Sequence, residues 1–214
     1  AGRLNMAGEG AINLAPMPAL LLMFGSTFGL NVMPGLPKIV NLAIIVAGCM
    51  ITGAAILMVP AFGRERLGAN EMVTSTIMNM FCLYAALWIL KGTVADRSVS
   101  FLGTANYPAA MRFTRYWNGS NFTGGFWVAV IGVIIGLILY YRTPLGVKIR
   151  ICGDNLQFAI YSGINAKKMM YLAQLIGGLF AGAAAAVEVF GLYDSYYLQM
   201  LTNVGMDGLL VAVM

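Results

Sequence analysis

The stretch that decides the fold is Thr143–Met169, TPLGVKIRICGDNLQFAIYSGINAKKM, which lies between two long apolar runs. The flanking runs, Phe122–Tyr141 and Met170–Leu192, each have the roughly 20 mostly apolar residues that a helix needs to cross a bilayer. The stretch itself carries four basic side chains and a single acid, Asp154. A polar segment fixed between two membrane spans must meet water. We therefore predict that it is a docking surface for a soluble partner on the cytoplasmic side.

The composition points to a membrane protein. Of the 214 residues, 60% are hydrophobic and 10% are charged, whereas soluble proteins average about 25% charged residues. So many apolar side chains do not fit into one core, and the bilayer is the expected solvent. The net charge of +5 is spread over loops and forms no patch for nucleic acid. The chain has no histidine, which removes the usual proton shuttle and the commonest metal ligand.

Five stretches are long and apolar enough to cross a membrane. They are Ala15–Met33, Ile39–Phe62, Val73–Leu90, Phe122–Tyr141 and Met170–Leu192, and a sixth begins near Val204. Helices are expected rather than strands, because the runs are long and because lipid leaves the backbone no partner outside its own segment. We predict an all-α, polytopic transmembrane helical bundle, with residues 1–214 as one domain. We also expect a fragment that lacks N- and C-terminal spans, since the sequence starts without Met and stops inside an apolar run.

Small residues are dense on the second, fourth and fifth predicted spans. Gly132 and Gly136 have small-xxx-small spacing on the fourth span, and Gly177, Gly178 and Gly182 lie on the fifth. Small side chains allow helix backbones to approach closely. We therefore predict tight helix packing on these three spans, although the sliding helices of a transporter would show the same pattern.

The charges of the loops predict the orientation. By parity, the loops Gly63–Met72 and Arg142–Met169 lie on one side of the membrane. They hold Arg64, Arg66, Arg142, Lys148, Arg150, Lys167 and Lys168, against Lys38, Lys91, Arg97, Arg112 and Arg115 on the other side. Basic residues close to span ends favour the cytoplasm. Both loops are therefore predicted to be cytoplasmic.

Polar residues at membrane depth are candidates for a solute path. Glu9 lies in a Gly- and Asn-bearing stretch before the first predicted span, typical of either a discontinuous helix that lines a path or an extramembrane turn. Asn70 and Glu71 precede the third span, where helix capping explains them about as well as function does. Asn79 lies about two turns further on, so its amide should face the bundle interior or a wet cavity.

Turn-forming and helix-capping residues divide the stretch Thr143–Met169. Gly153-Asp154-Asn155 is typical of a turn with a helix N-cap at Asp154 or Asn155. Leu156–Tyr161 then predicts a short amphipathic helix that Gly163 closes. Such a helix on the membrane surface fits a groove on a partner. A solvated connecting loop is the alternative.

The sequence contains none of the usual catalytic patterns. It has no phosphate-binding Walker loop, no nucleophile elbow, no paired catalytic carboxylates and no metal-ligand cluster. We therefore predict that the chain is not an enzyme. A secondary transporter or channel remains an alternative, and it would need a buried ionisable relay, for which Glu188 in the fifth span is the candidate.

Three pieces of the polar stretch match a known pattern in order. They are Thr143-Pro144-Leu145-Gly146, Arg150-Ile151-Cys152-Gly153-Asp154-Asn155 and Ser162-Gly163-Ile164. Together they resemble the cytoplasmic coupling-loop motif of ABC importer permeases. That group includes ribose, simple-sugar, nucleoside and branched-chain amino-acid permeases.

Three further stretches are similar to the same family. Gly2–Gly10 resembles its N-I-G-x-E-G stretch, and Gly205–Gly208 resembles a G-F-D-G before a late helix. Arg66–Asn79 resembles G-V-N-E-V-I-S-T-x-M-L-N of the nucleoside and simple-sugar branch. The resemblance runs in order from residue 1 to residue 214. In one departure, the usual N-P-x-A-A reads Asn155-Leu156-Gln157-Phe158-Ala159 here, without the proline and the first alanine.

The resemblance implies a permease subunit of an ATP-driven importer for nucleosides or simple sugars, in the bacterial cytoplasmic (inner) membrane. Partner ABC ATPase subunits would bind ATP and Mg²⁺, and this chain would hold no cofactor. A second permease subunit and an extracytoplasmic solute-binding protein would complete the importer. A branched-chain amino-acid permease is the alternative within the family.

The resemblance also implies roles for individual residues. The implied coupling-loop residues are Arg150, Gly153, Asp154, Asn155, Ala159, Ser162, Gly163 and Ile164. The implied residues of the substrate pathway or its gates are Asn5, Glu9, Asn70, Glu71 and Asn79.

Overall fold

The structure, a computed structural model, describes residues 5–24, 37–95, 103–117, 122–197 and 203–213. The α-helices of these residues are α1 (Gly8–Leu14), α2 (Met17–Phe24), α3 (Lys38–Leu67), α4 (Glu71–Ile89), α5 (Gly125–Arg142), α6 (Pro144–Asp154), α7 (Leu156–Tyr161), α8 (Ala166–Val187) and α9 (Val204–Val213). Strand pairing in this part of the chain is limited to two isolated bridges. The all-α prediction is confirmed.

Four of the described helical segments are long and apolar enough to cross a membrane. They are Lys38–Leu67, Glu71–Val94, Gly125–Arg142 and Ala166–Leu192. They confirm the predicted second to fifth spans, with shifted ends. The segments that begin with α4 and α8 finish in π-helical turns, Leu90–Val94 and Glu188–Leu192.

The first predicted span is wrong at its start. The helix begins at Gly8 instead of Ala15, and it is interrupted after Leu14. Pro16 and Pro18 remove two N–H donors in close succession, so the helical hydrogen-bond ladder does not run through this point. The later part of this predicted span lies outside the described residues. Residues 1–4, which belong to a stretch that resembles the family, and Arg97, which was counted among the loop charges, also lie outside them.

α3 and α8 form a close antiparallel pair. A Cβ atom added to Gly53 would lie 2.6 Å from the Gly178 carbonyl oxygen, and one added to Gly182 would lie 2.7 Å from the Cα of Met50. No side chain fits such gaps, so glycine is required on both helices. This confirms the tight packing predicted for the second and fifth spans. The antiparallel arrangement brings the end of α3 beside the start of α8.

The close approach predicted for the fourth span is wrong for the described residues. Cβ atoms added to Gly132 and Gly136 would meet only the ring of Phe180, at 3.7–3.9 Å. That ring separates the backbones of α5 and α8 and leaves a groove of about 460 Å³ beside it. Only 6% of the 18 residues of α5 are buried. α5 therefore offers most of its surface to lipid or to another membrane helix.

Residues 103–117 cover one end of the helical bundle. This end lies opposite the loops Gly63–Met72 and Arg142–Met169, which we call the basic loops. The Phe113 N–H donates to the Phe190 carbonyl oxygen at 3.1 Å. The guanidinium group of Arg112 forms an ion pair with Asp194. These contacts tie the long loop before α5 to the segment that follows α8. The two ends of the bundle are therefore built differently, one from this cap and one from the basic loops with α6 and α7.

Candidate coupling and gating site

Caps within the chain define the two short helices of the 143–169 segment. The Thr143 hydroxyl oxygen accepts a hydrogen bond from the Gly146 N–H at 3.2 Å, which starts α6. Asn155 Oδ1 accepts a hydrogen bond from the Phe158 N–H at 3.0 Å, which starts α7. Between the two predicted caps, the structure selects Asn155, and Asp154 is the last residue of α6.

The turn from α7 into α8 is fixed by the backbone. Gly163 has a φ of +75°, in the left-handed region that glycine adopts without strain. Its N–H donates to the Ile160 carbonyl oxygen at 3.0 Å, and the Ile164 N–H donates to that of Ala159 at 2.9 Å. The predicted closure of α7 at Gly163 is confirmed. A movement of α7 would therefore be passed directly to the start of α8.

α7 has one buried position and a broad exposed apolar surface. Ala159 is fully buried in a cluster with Cys152, Met169 and Met170. Burial raises the pKa of the Cys152 thiol, which keeps it uncharged among apolar neighbours. The large exposed side chains of α7 are Leu156, Phe158, Ile160 and Tyr161. An exposed apolar surface on a helix that is anchored from behind is typical of a protein docking site.

Arg150 links α6 to the end of α5. Its guanidinium group lies over the rings of Tyr140 and Tyr141, 5.2 and 5.5 Å from their centroids. Such cation–π contacts hold a cation against aromatic faces. The structure therefore places this predicted coupling residue at the α5–α6 junction.

A chain of polar side chains joins the elements at the same end of the bundle. Asn5 Nδ2 donates to Gln174 Oε1 at 2.8 Å. Gln174 Nε2 in turn donates to Glu71 Oε1 at 2.8 Å. The buried Glu71 carboxylate also faces Arg64 at 3.4 Å. This Asn5–Gln174–Glu71 bridge connects the N-terminal stretch, α8 and α4, and two of its three members were predicted as pathway or gate residues.

Gln174 was not predicted from the sequence. It lies inside a long apolar run and belongs to none of the stretches that resemble a family motif. The available signal was its chemistry, since an amide within a membrane span must find a partner on another element.

Asn79 binds the backbone of the N-terminal region from α4. Its Oδ1 accepts a hydrogen bond from the Gly10 N–H, and its Nδ2 donates to the Met6 carbonyl oxygen, both at 2.8 Å. The side chain is buried, which confirms its predicted place in the bundle interior. The two ends of its amide therefore hold α1 and the residues just before it against α4.

Glu9 lies in α1 and binds the start of α9. Its Oε1 accepts a hydrogen bond from the Asn203 N–H at 2.7 Å, and its Oε2 accepts one from the Gly205 N–H at 2.8 Å. A carboxylate at a helix N-terminus satisfies free N–H groups and is favoured by the helix dipole. Of the two alternatives left open for this stretch, the structure favours the discontinuous helix, because Glu9 lies inside α1 and the interruption falls after Leu14.

Asn70 stands apart from the other predicted pathway residues. It is exposed, and its Oδ1 accepts a hydrogen bond from the Met72 N–H at 3.0 Å as the N-cap of α4. The structure therefore gives it the capping role that the sequence left open beside a functional one.

Glu188 lines the groove between α5 and α8. It is the one charged residue among the described residues that line this groove, whereas a proton or ion relay needs several ionisable groups. The residues that the structure describes also contain no group of three His, Cys, Asp or Glu side chains that could hold a metal ion.

The whole chain matches one family of transport proteins. A family model described as "Branched-chain amino acid transport system / permease component" matches residues 1–214. The chain belongs to this permease family. The match confirms the family predicted from the sequence, and with the four apolar helices it makes the chain part of a multi-pass membrane protein. No solved structure matches this permease sequence.

Several curated relatives are named as ABC permeases. The nucleoside ABC transporter permease protein NupB of Lactococcus lactis subsp. cremoris (strain MG1363) is 25% identical, over 85% of this chain and 52% of its own length. The guanosine ABC transporter permease protein NupP of Bacillus subtilis (strain 168) is 24% identical, over 83% and 52%. The glucose ABC transporter permease protein TsgB13 of Haloferax volcanii is 22% identical, over 100% and 57%. The chain thus spans about half the length of the relatives it matches.

Proposed function

We propose that this chain forms the core of a membrane permease subunit of an ATP-driven ABC importer for nucleosides or simple sugars, in the bacterial cytoplasmic membrane. The observation that carries the proposal is α7, a short helix with exposed apolar side chains that is anchored through Ala159 at the basic-loop end of the bundle. Membership of the permease family supports it. The names of the nucleoside, guanosine and glucose relatives support the solute class.

An ABC ATPase subunit would dock on α7 and would carry the ATP and Mg²⁺. The apolar side chains of α7 would enter a groove on that subunit. Two further partners complete the proposal. The exposed apolar surface of α5 supports contact with a second permease subunit, and the 103–117 cap would face an extracytoplasmic solute-binding protein.

The Asn5–Gln174–Glu71 bridge would be the gate on the ATPase side. Gln174 lies about two helical turns after the start of α8, so a displacement of α7 would move it relative to its two partners. Each hydrogen bond contributes about 1 kcal/mol net, and those to charged groups about 2 kcal/mol. Hydrogen bonds of this strength can break and re-form as the bundle changes between two conformations. ATP binding would favour one of these conformations over the other.

The proposed function is tested by isolating the full-length protein from its own membranes in mild detergent. We expect an ABC ATPase to co-purify and the reconstituted complex to take up nucleosides or simple sugars when ATP is supplied. Uptake of leucine alone would favour the branched-chain amino-acid alternative. Recovery of the chain by itself, under conditions that keep a known importer intact, together with uptake that Glu188→Gln abolishes, would favour secondary transport.

The gate predicts a leak when the bridge is removed. Gln174→Leu roughly keeps the side-chain size but loses both hydrogen bonds, so we expect ATP-independent efflux of preloaded solute from proteoliposomes to rise at least about tenfold. The matched control is Thr52→Val, because the Thr52 hydroxyl donates only within its own helix, to the Gly48 carbonyl oxygen at 2.9 Å. Equal efflux from the two variants would contradict the assignment of the bridge as a gate.

A further inference from the structure

A second groove lies at the basic-loop end of the bundle, where α8 begins beside α3. Its volume is about 400 Å³. It is lined by the polar side chains of Asn165, Lys167, Lys168 and Tyr171 near the start of α8 and by the apolar side chains of Met58, Leu172 and Leu175. Met58 and Leu175 belong to helices that are long and apolar enough to cross the membrane. The groove therefore leads from a cationic rim at the water interface into the apolar layer.

The two lysines of the rim have no anionic partner within the described part of the chain. Neither Lys167 nor Lys168 forms an ion pair there, and the first turn of α8 contains no acidic residue. A cation in the first turn is also disfavoured by the helix dipole. The positive charge at this point is therefore not offset locally.

The charge of the surrounding surface has the same sign. The basic side chains at this end are Arg64, Arg66, Arg142, Lys148, Arg150, Lys167 and Lys168, against Glu65, Glu71 and Asp154. An excess of positive charge beside membrane spans attracts the anionic lipids of the cytoplasmic leaflet.

We propose that this groove binds an anionic phospholipid. Lys167 and Lys168 hold the phosphate, with Tyr171 beside the headgroup, and an acyl chain lies along Met58 and Leu172. The amphipathic lining selects this ligand, because a free phosphate would leave the apolar half of the groove empty. α8 carries Gln174, so it joins α7, the proposed docking helix, to the Asn5–Gln174–Glu71 bridge, which we also call the polar bridge. A lipid bound in this groove therefore contacts the helix that connects the two.

The test compares two lipids on the purified full-length protein. Phosphatidylglycerol and phosphatidylcholine with identical acyl chains are titrated in turn, and the retained lipid is counted by native mass spectrometry. We expect phosphatidylglycerol to be retained, and Lys167→Gln with Lys168→Gln to weaken its binding about thirtyfold, which corresponds to about 2 kcal/mol for the two lysines together. The matched control is Arg142→Gln with Lys148→Gln, which removes the same charge at the same end but outside the groove lining.

Three results of this lipid titration would overturn the proposal. They are equal retention of the two lipids, equal weakening by the two double variants, and displacement of the lipid by an equal concentration of soluble glycerol phosphate. A photoreactive phosphatidylglycerol on the unaltered protein covers the case in which the lysine variant fails to fold. The crosslink should map to residues 167–175 or to Met58, and a crosslink mapped only elsewhere would refute the site.

Discussion

Replacing Gly163 with proline is expected to reduce ATP-driven uptake strongly while leaving the permease folded in the membrane. Proline holds φ near −65° and has no N–H, whereas Gly163 has a φ of +75° and donates to the Ile160 carbonyl oxygen. The turn between α7 and α8 must then rearrange, and the docking helix loses its fixed direction. We expect uptake by proteoliposomes to fall at least about tenfold, because the lost turn geometry and the lost hydrogen bond together cost about 2–3 kcal/mol.

The matched control for this prediction is Gly163→Asn. Asparagine enters the left-handed region more readily than most residues, and a Cβ at Gly163 meets no atom within 4 Å. Its uptake should therefore stay within about threefold of the unaltered protein, since the remaining strain is of order 1 kcal/mol. Equal uptake by the asparagine and proline variants, with equal amounts of bound ATPase, would show that the geometry of this turn does not matter for coupling.

Replacing Gly182 with leucine is expected to unfold the bundle. A Cβ at Gly182 would lie 2.6 Å from the Cys49 carbonyl carbon and 2.7 Å from the Cα of Met50. Both atoms belong to the backbone of α3, so a side-chain rotation cannot relieve the clash. Overpacking usually costs about 1–3 kcal/mol and more where a backbone must move. We expect a cost above about 3 kcal/mol and little or no folded protein.

For Gly182→Leu, the thermal midpoint of unfolding is measured by size-exclusion chromatography of heated samples. Maleimide labelling of Cys49 is measured alongside it. This thiol is fully buried between the helices, so its labelling reports separation of α3 from α8. The matched control is Gly177→Leu on the same helix, where a Cβ would lie 3.9 Å from the nearest described atom, a Leu57 methyl carbon. Similar midpoints and similar labelling in the two variants would refute the close α3–α8 contact as a determinant of stability.

The Gly163 and Gly182 variants test different parts of the proposed mechanism. Gly163 acts on the connection between the docking helix and α8, whereas Gly182 acts on the contact that holds α8 in the bundle. A variant at Gly163 that keeps its thermal midpoint but loses uptake would locate coupling in the turn. The same α8 carries Gln174, so the polar bridge lies on the helix that both predictions address.

Local features of the structure followed from the sequence. The caps at Asn70 and Asn155 and the closure at Gly163 involve hydrogen bonds between residues two to five positions apart, so the residues themselves carry the signal. The long apolar runs likewise determined the membrane helices, because only a helix satisfies its own backbone in lipid. The short docking helix α7 was predicted with the bounds that it has in the structure.

Only the tertiary structure decided which side chains meet. Gln174 and Glu71 are 103 positions apart, Gln174 and Asn5 are 169 apart, and Glu9 and Asn203 are 194 apart. No local pattern encodes such pairs, because they depend on how the helices cross. The same reason explains α5, whose glycines matched a close-packing pattern but face the ring of Phe180. The sequence by itself thus determined the four long apolar helices, the short helix α7 and the family. The packing of α1, α4 and α8 decided that Asn5 and Glu71 share a bridge and that Glu9 caps α9.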